Sequence, residues 1–443
     1  MVVFGLEFDM EKAQKRKKKR SYIKQITTLV LLGIVVFVCL FNLILRDKSV
    51  SKPKMTIKNV LNGEYMEEYE TYSSERFAGK DLSRSLNHSI QTLLGKRQSD
   101  GVYKGKDGFL AEEIAAMDEE SVDKSIQAIK EFDNTYYNIP VYFMLVPNAA
   151  NVQSDRLPAS AVIRNQKEQF QKIKENLGEE IHWVEVQDTF TDHKKEELYY
   201  HTDEHWTSLG AYYGYEALAQ TMALDTSKAP EMKTYVVNND FSGSLAKKSG
   251  YERGSEESIS VYMPKKQKNA VKTVVSYDNS KKKTATLYDV SKLEKKDKYN
   301  LFLGGDHGIV NIKTTAETTD RLLILKDSYA NCLIPFLTPY YREIVVIDPA
   351  HYSGNLQEVM QNTKFTSILF LYNGNSFVTD TSIHKVLETS VAPETDTESA
   401  EPSAEAENKD EAASSESDAE NKTNETGETD GTKPQEEDAD ETE

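Results

Sequence analysis

The chain has 443 residues and a formal net charge of −18, from 54 Lys+Arg against 72 Asp+Glu. The excess is local: residues 394–443 hold 20 acidic and three basic side chains, whereas residues 21–393 hold 49 acidic and 44 basic. A near-neutral body without a dense basic patch argues against a nucleic-acid partner, because phosphate binding needs clustered Lys and Arg, and a single body cysteine, Cys332, excludes an internal disulfide or a Cys-based metal site.

Residues 1–25 are basic, with an unbroken cationic run from Lys15 to Arg20, and lead into an uncharged run from Ile26 to Leu45. At about 1.5 Å per residue that run spans roughly 30 Å, the depth of a hydrocarbon core. The flanking charges predict a cytoplasmic N-terminus and an extracytoplasmic remainder. A cleaved signal peptide would have a shorter apolar core and a small-x-small exit, whereas this run ends Phe41-Asn42-Leu43-Ile44-Leu45-Arg46. A single-pass anchor in the lipid bilayer over 26–45 is therefore expected, with Cys39 inside it.

Residues 46–75 read as a polar stalk, and 76–390 as one extracytoplasmic domain. Its predicted elements begin with a helix from Arg76 to Gly101, two short strands over 101–103 and 105–110, and an amphipathic helix from Glu119 to Phe132. A buried strand over 140–148, a helix over 162–177, a strand over 181–186 and a helix from Ser208 to Met222 follow. Residues 232–300, rich in Lys, Ser and Thr, suggest a β-rich insertion. Strands are then predicted over 321–328, 343–348 and 367–373, with helical stretches to Tyr341 and over 356–363. Short apolar strands alternating with helices predict an α/β fold with a parallel sheet covered by helices on both faces. From 391 to 443 the chain is Glu, Ser, Thr, Ala, Asp and Asn without aromatics, a composition that cannot bury enough apolar area to order itself.

Two segments carry chemistry. Ser328 follows an apolar strand and precedes a helical run, where open α/β sheets place ligands and nucleophiles; an ordinary helix cap is the plain alternative. The segment Tyr199-Tyr200-His201-Thr202-Asp203-Glu204-His205-Trp206-Thr207 can supply a base, His205, and a carboxylate to orient it, Asp203, on the same side of an extended strand. The rival reading takes His201, Asp203 and His205 as three metal ligands. Gly304-Gly305-Asp306-His307 is either a glycine turn or part of a site, and Asn373 and Asn375 flank a turn at Gly374.

Asp203-x-His205-Trp206-Thr207 with Leu209-Gly210-Ala211 resembles the DHHW family, which is itself similar to the SGNH-hydrolase-like alginate O-acetyltransferases of the AlgJ and AlgX type. Further blocks carry the resemblance: Asn62–Met66, Phe77–Asp81, Leu94–Arg97, Tyr103–Gly108, Phe302–His307 and Lys326-Asp327-Ser328-Tyr329. It covers roughly residues 60–385. It implies an SGNH-like domain in which Asp203 orients His205, His205 is the base and Ser328 the nucleophile, with Asn373 or Asn375 among the oxyanion donors. Tyr329, Asp306 and His307 are further candidates for contacting substrate. The implied function is O-acetyl transfer or ester hydrolysis on a cell-envelope or secreted polysaccharide through an acyl-enzyme. No cofactor or metal is implied, and the acetyl donor would be a membrane-bound O-acyltransferase partner. The chain departs from the family pattern at Glu204, where the family name has its first His, and at Lys326, where a Gly-Asp-Ser block would have Gly. These departures favour the alternative of an inactive polysaccharide-binding or scaffold protein.

Overall fold

The computed structural model describes residues 98–390 apart from 252–256, 267–269, 279 and 281–282, and ahead of them most of 25–45 and scattered positions between 52 and 76. The acidic tail, nearly all of the basic segment, and most of the stalk and of the helix expected over 76–101 lie outside the described residues. An apolar helix over Gln25–Asn42 is long enough to cross a membrane and buries none of its length in the protein.

Strands β1 (Gln98–Ser99), β2 (Val102–Lys104) and β3 (Leu110–Glu112) form a small antiparallel sheet. Asp100 and Gly101 have φ of 49° and 72°, so the expected helix end is instead a two-residue hairpin turn of the kind Asp-Gly favours. Next come α1 (Glu119–Thr135), β4 (Val141–Val146), the one-turn α2 (Ala149–Val152), α3 (Gln166–Leu177), β5 (His182–Trp183), α4 (Gln187–Asp192) and α5 (Ser208–Thr221). The middle of the chain gives β6 (Met232–Phe241), α6 (Ser244–Ser249), β7 (Glu257–Pro264), β8 (Thr273–Tyr277), β9 (Lys283–Thr284) and β10 (Ile309–Thr314). The last elements are β11 (Arg321–Lys326), α7 (Ala330–Leu337), β12 (Glu343–Ile347), α8 (Leu356–Asn362), β13 (Ser367–Asn373), α9 (Gly374–Thr379) and α10 (Ile383–Glu388).

The main sheet has the order β5-β4-β13-β11-β12-β10-β8-β9. The first five strands run parallel, but β10, β8 and β9 pair antiparallel. The expected parallel sheet is thus a mixed one. Strands β8 and β9 of the expected insertion do not stand apart; with β10 they extend the sheet beyond β12. An antiparallel margin needs no crossover helix and tolerates exposed residues such as Lys313. Among the described residues of that segment, β6 and β7 alone pair apart from the main sheet.

The parallel strands are apolar on both faces because helices cover both. Met144, Leu322, Ile324, Ile344, Val346 and Leu369 point to one core, closed by α5 and α7 through Leu218, Leu333 and Ile334. Their alternates Phe143, Leu323, Leu325, Val345 and Phe370 point to the other, closed by α1, α3 and α10 through Ile129, Phe132, Ile173 and Leu387. The period of two along each strand makes this division. Parallel direction also brings the carboxyl ends of β4, β13 and β11 to one edge of the sheet, and Ser328 lies there.

Candidate active site

Ser328 is held by the residue before it. The Asp327 carboxylate accepts the Asn373 N–H at 2.8 Å and the Tyr329 N–H at 3.0 Å. One side chain thereby ties the end of β11 to the end of β13 and opens the turn into α7. Burial pushes the Asp327 carboxyl up to about 6, against the hydrogen bonds that favour its charge. Beneath the end of β13, Asn148 donates to Asn373 Oδ1 at 3.0 Å and Gln166 donates to Asn148 Oδ1 at 2.6 Å. These buried amides satisfy one another and fix the strand ends.

Asp203 and His205 sit on an irregular loop, not the extended strand that the spacing suggested. A Tyr199–Trp206 bridge closes the loop, and Thr207 caps α5 by accepting the Gly210 N–H at 3.2 Å. The loop is fastened by side chains. Glu257 accepts from the Thr202 hydroxyl at 2.9 Å, from the Thr202 N–H at 3.2 Å and from the His201 N–H. The Trp206 indole N–H donates to the Tyr329 carbonyl at 2.9 Å, and the Tyr329 hydroxyl donates to the Glu204 carbonyl. Trp206 lies so close to α5 that a Cβ at Gly214 would come within 2.7 Å of its ring.

These supports bring three side chains into line. His205 Nε2 is 2.8 Å from Ser328 Oγ, and His205 Nδ1 is 2.5 Å from Asp203 Oδ1. The second carboxylate oxygen, Asp203 Oδ2, accepts the Ser244 N–H at 2.8 Å. That approach requires glycine beside it, because a Cβ at Gly243 would lie 2.3 Å from Asp203 Cβ. Tyr299 stacks on the imidazole with centroids 3.7 Å apart and 14° between the planes. Asp203 and His205 are buried, and Ser328 is partly exposed.

Electrostatics favour a charged pair. Burial works against the His205 cation, but the Asp203 charge and hydrogen bond, with Glu204 and Asp327, outweigh it and raise the imidazole to about 9. Burial likewise opposes the Asp203 charge, yet His205 and the Ser244 N–H hold that carboxyl below its usual range. Burial and the neighbouring Asp203 charge push Glu204 up to about 7. A serine hydroxyl in reach of an imidazole backed by a carboxylate can lose its proton as it attacks an electrophile.

Ser328 opens into a cleft of about 530 Å³ lined also by Glu204, Tyr329, Asn373, Asn375 and Arg164. Both asparagine amides already hold protein partners. Asn373 Nδ2 donates to the Val146 carbonyl at 3.3 Å, and its Oδ1 caps α9. Asn375 Nδ2 donates to Glu112 Oε2 at 3.1 Å and to the Glu113 carbonyl at 2.8 Å. Asp306 and His307, expected as substrate contacts, do not line the cleft. Lys326 Nζ and Asn331 Nδ2 approach Asp306 Oδ1 at 3.5 and 3.3 Å, and His307 Nδ1 turns to Asp278 at 2.9 Å. Tyr329 lines the cleft, but its hydroxyl and carbonyl both brace the loop. Lys326 stands off from Ser328, buried against Asp348 at 2.8 Å.

The three-ligand metal reading needs His201, which is not among the donors that gather here: its Nε2 faces the Arg156 guanidinium at 2.9 Å and Glu197 at 2.6 Å. Donor atoms of Asp203, Glu204 and His205 do gather within 4.8 Å of one another, but both His205 nitrogens are spent on Asp203 and Ser328. Gly243, Ser244, Glu257 and Tyr299 went unread in the sequence. They lie about 40 to 95 residues beyond Asp203, in the segment read as an insertion, and no local pattern marks them.

A family model described as DHHW protein matches residues 135–347, in line with the resemblance read from the motif blocks. The crystal structure of a DHHW family protein from Eubacterium siraeum is 22% identical, has a TM-score of 0.54 and covers 66% of this chain and 96% of its own. The structure of Bacillus cereus PatB1 with a sulfonyl adduct is 20% identical, has a TM-score of 0.53 and covers 64% of this chain and 96% of its own. The O-acetyltransferase domain of Pseudomonas putida AlgJ, at 12% identity and a TM-score of 0.42 over 65% of this chain and 99% of its own, is too distant to bear on the fold. No curated protein matches the chain.

Proposed function

We propose that this protein is a membrane-anchored, extracytoplasmic O-acetyltransferase or acetylesterase with an SGNH-hydrolase-like domain over 76–390, acting on a cell-envelope or secreted polysaccharide. The observation that carries this reading is the hydrogen-bonded line from Asp203 through His205 to Ser328 Oγ at 2.8 Å. Ser328 Oγ attacks the acetyl carbonyl and passes its proton to His205 Nε2, and the imidazolium is stabilised by Asp203. Collapse of the tetrahedral intermediate expels the donor alcohol, which takes the proton from His205, and leaves an acetyl ester on Ser328. An acceptor hydroxyl then gives its proton to His205 as its oxygen attacks the ester. The C–O bond to serine breaks and Ser328 recovers the proton. Among the described residues the Ser328 N–H has no hydrogen-bond partner, which suits it to stabilise the oxyanion.

The Gln25–Asn42 helix and the basic run before it support an anchor with the domain outside the cytoplasm. A donor outside the cell would come from a membrane-bound O-acyltransferase partner, because the one candidate span among the described residues does not make such a carrier. The test uses full-length protein in detergent with an aryl acetate. Wild type releases the aryl alcohol in a burst and acetate at the slower steady rate of deacylation, and a sulfonyl fluoride blocks both by modifying Ser328, the chemistry that the PatB1 adduct suggests. Acetate release unaffected by Ser328→Ala would overturn the mechanism.

A further inference from the structure

Among the charged groups that line the cleft beside Ser328, one is left with an unpartnered oxygen and no part in the mechanism. Most of the charged residues lining it are paired: Lys248 with Glu112 at 2.9 Å and Arg164 with Glu113 at 2.8 Å. Glu204 is the exception. Its Oε2 is buried with no hydrogen-bond partner among the described residues. A buried carboxyl oxygen left unpartnered costs free energy that a bound ligand can recover.

Glu204 is also well placed. A Glu204 carboxylate oxygen lies within 4.8 Å of a His205 ring nitrogen, and that imidazole is the group that must take the acceptor's proton. Its backbone is braced on three sides: Asp203 is bound to Ser244, His205 is stacked on Tyr299, and its own carbonyl accepts the Tyr329 hydroxyl. The backbone that carries the carboxyl is thus held in a fixed position relative to the reacting atoms, which is what orienting a substrate needs.

We propose that the Glu204 carboxyl binds the acceptor. It hydrogen-bonds the hydroxyl adjacent to the one that attacks the Ser328 ester, and so selects polyhydroxyl acceptors such as sugars over simple alcohols. This rests on the acetyl-transfer reading above and adds the group that recognises the acceptor. Bond changes are those already given; Glu204 orients the acceptor and neither gains nor loses a proton over the turnover.

The experiment loads full-length wild type, Glu204→Ala and Glu204→Gln from an aryl acetate and lets methyl glucoside and methanol compete for the acyl-enzyme. The ratio of the two acetylated products is independent of how fast each variant is acylated. Wild type favours methyl glucoside at least tenfold per mole. Glu204→Ala lowers that preference at least fivefold, and Glu204→Gln, which still offers a hydrogen-bonding oxygen, lowers it less. An unchanged ratio in Glu204→Ala overturns the proposal, even if the pH profile of acylation shifts, because that result leaves Glu204 acting only on the His205 charge. A wild type without preference overturns it as well. A wild type that forms no acyl-enzyme overturns the acetyl-transfer reading and this inference with it.

Discussion

Two regions meet at the candidate active site, and they are built by different means. The Ser328 region is the end of a buried parallel strand, fixed by the backbone ladder of β11 with β12 and β13 and by one aspartate. The Asp203–His205 region is a loop held by individual side chains: Glu257, Trp206, Tyr329 and the Ser244 N–H. A ladder spreads its support over many equivalent bonds, so one lost side chain weakens the whole without moving one atom. A loop concentrates support in a few bonds, so one lost side chain moves the base. Substitutions in the strand should therefore cost stability before activity, and substitutions around the loop the reverse.

The sharpest break is chemical. Ser328→Ala is expected to lower acetate release by about 10⁵-fold or more, with an unchanged thermal midpoint; a large midpoint shift would place Ser328 in the packing. Asp203→Asn should lower kcat by about 10⁴-fold, because the imidazole loses its orienting anion. It should also displace the pH profile. Neutral His205 must take the serine proton, and the folded protein raises that imidazole to about 9. Wild-type kcat/KM should thus rise with pH and level off only above about 9, the reverse of a base inactivated by alkali. Asp203→Asn removes the largest charge that raises the imidazole, so its acid limb should move to lower pH; a stopped-flow pH series reads both.

The next tests separate the two regions directly. Glu257→Gln sets an amide in place of a carboxylate that receives three donors, and it is expected to cost about 2 kcal/mol and to lower activity by about 10–100-fold, as displacement of the base would. Leu323→Ala opens a cavity in the middle of β11, facing the core away from α5 and α7. It should cost about 3 kcal/mol in denaturant unfolding while activity per folded molecule stays within about twofold. Equal losses of activity in the two variants would erase the distinction between ladder and loop.

The same distinction explains what the sequence made legible. Strands such as Ser367–Asn373 and Arg321–Lys326 are continuous apolar runs, and helices such as Ser208–Thr221 begin on a clear cap, so local composition reveals them. Asp203 and His205 carry a short motif, and Ser328 follows a strand. Strand β10 was not anticipated, because Ile309–Thr314 is short, mixed in polarity and paired to strands on either side in space. Gly243 and Glu257 act on a loop more than 35 residues earlier, through contacts that only the folded chain creates. Asp306 and His307 adjoin in sequence, but their side chains turn to different partners, Lys326 and Asn331 for the one and Asp278 for the other, and their spacing in the chain does not reveal this.

His205 and Ser328 are 123 residues apart in the chain. Closing that separation requires β4, the β6–β7 pair and the ladder from β11 to β13 to be in register, and contacts of such long range form late. Recovery of acetate release during refolding should therefore lag the recovery of helical circular dichroism. A chain still folding would hold its serine and its imidazole apart until the last strand had docked, so the proposed chemistry would be absent before the fold was complete.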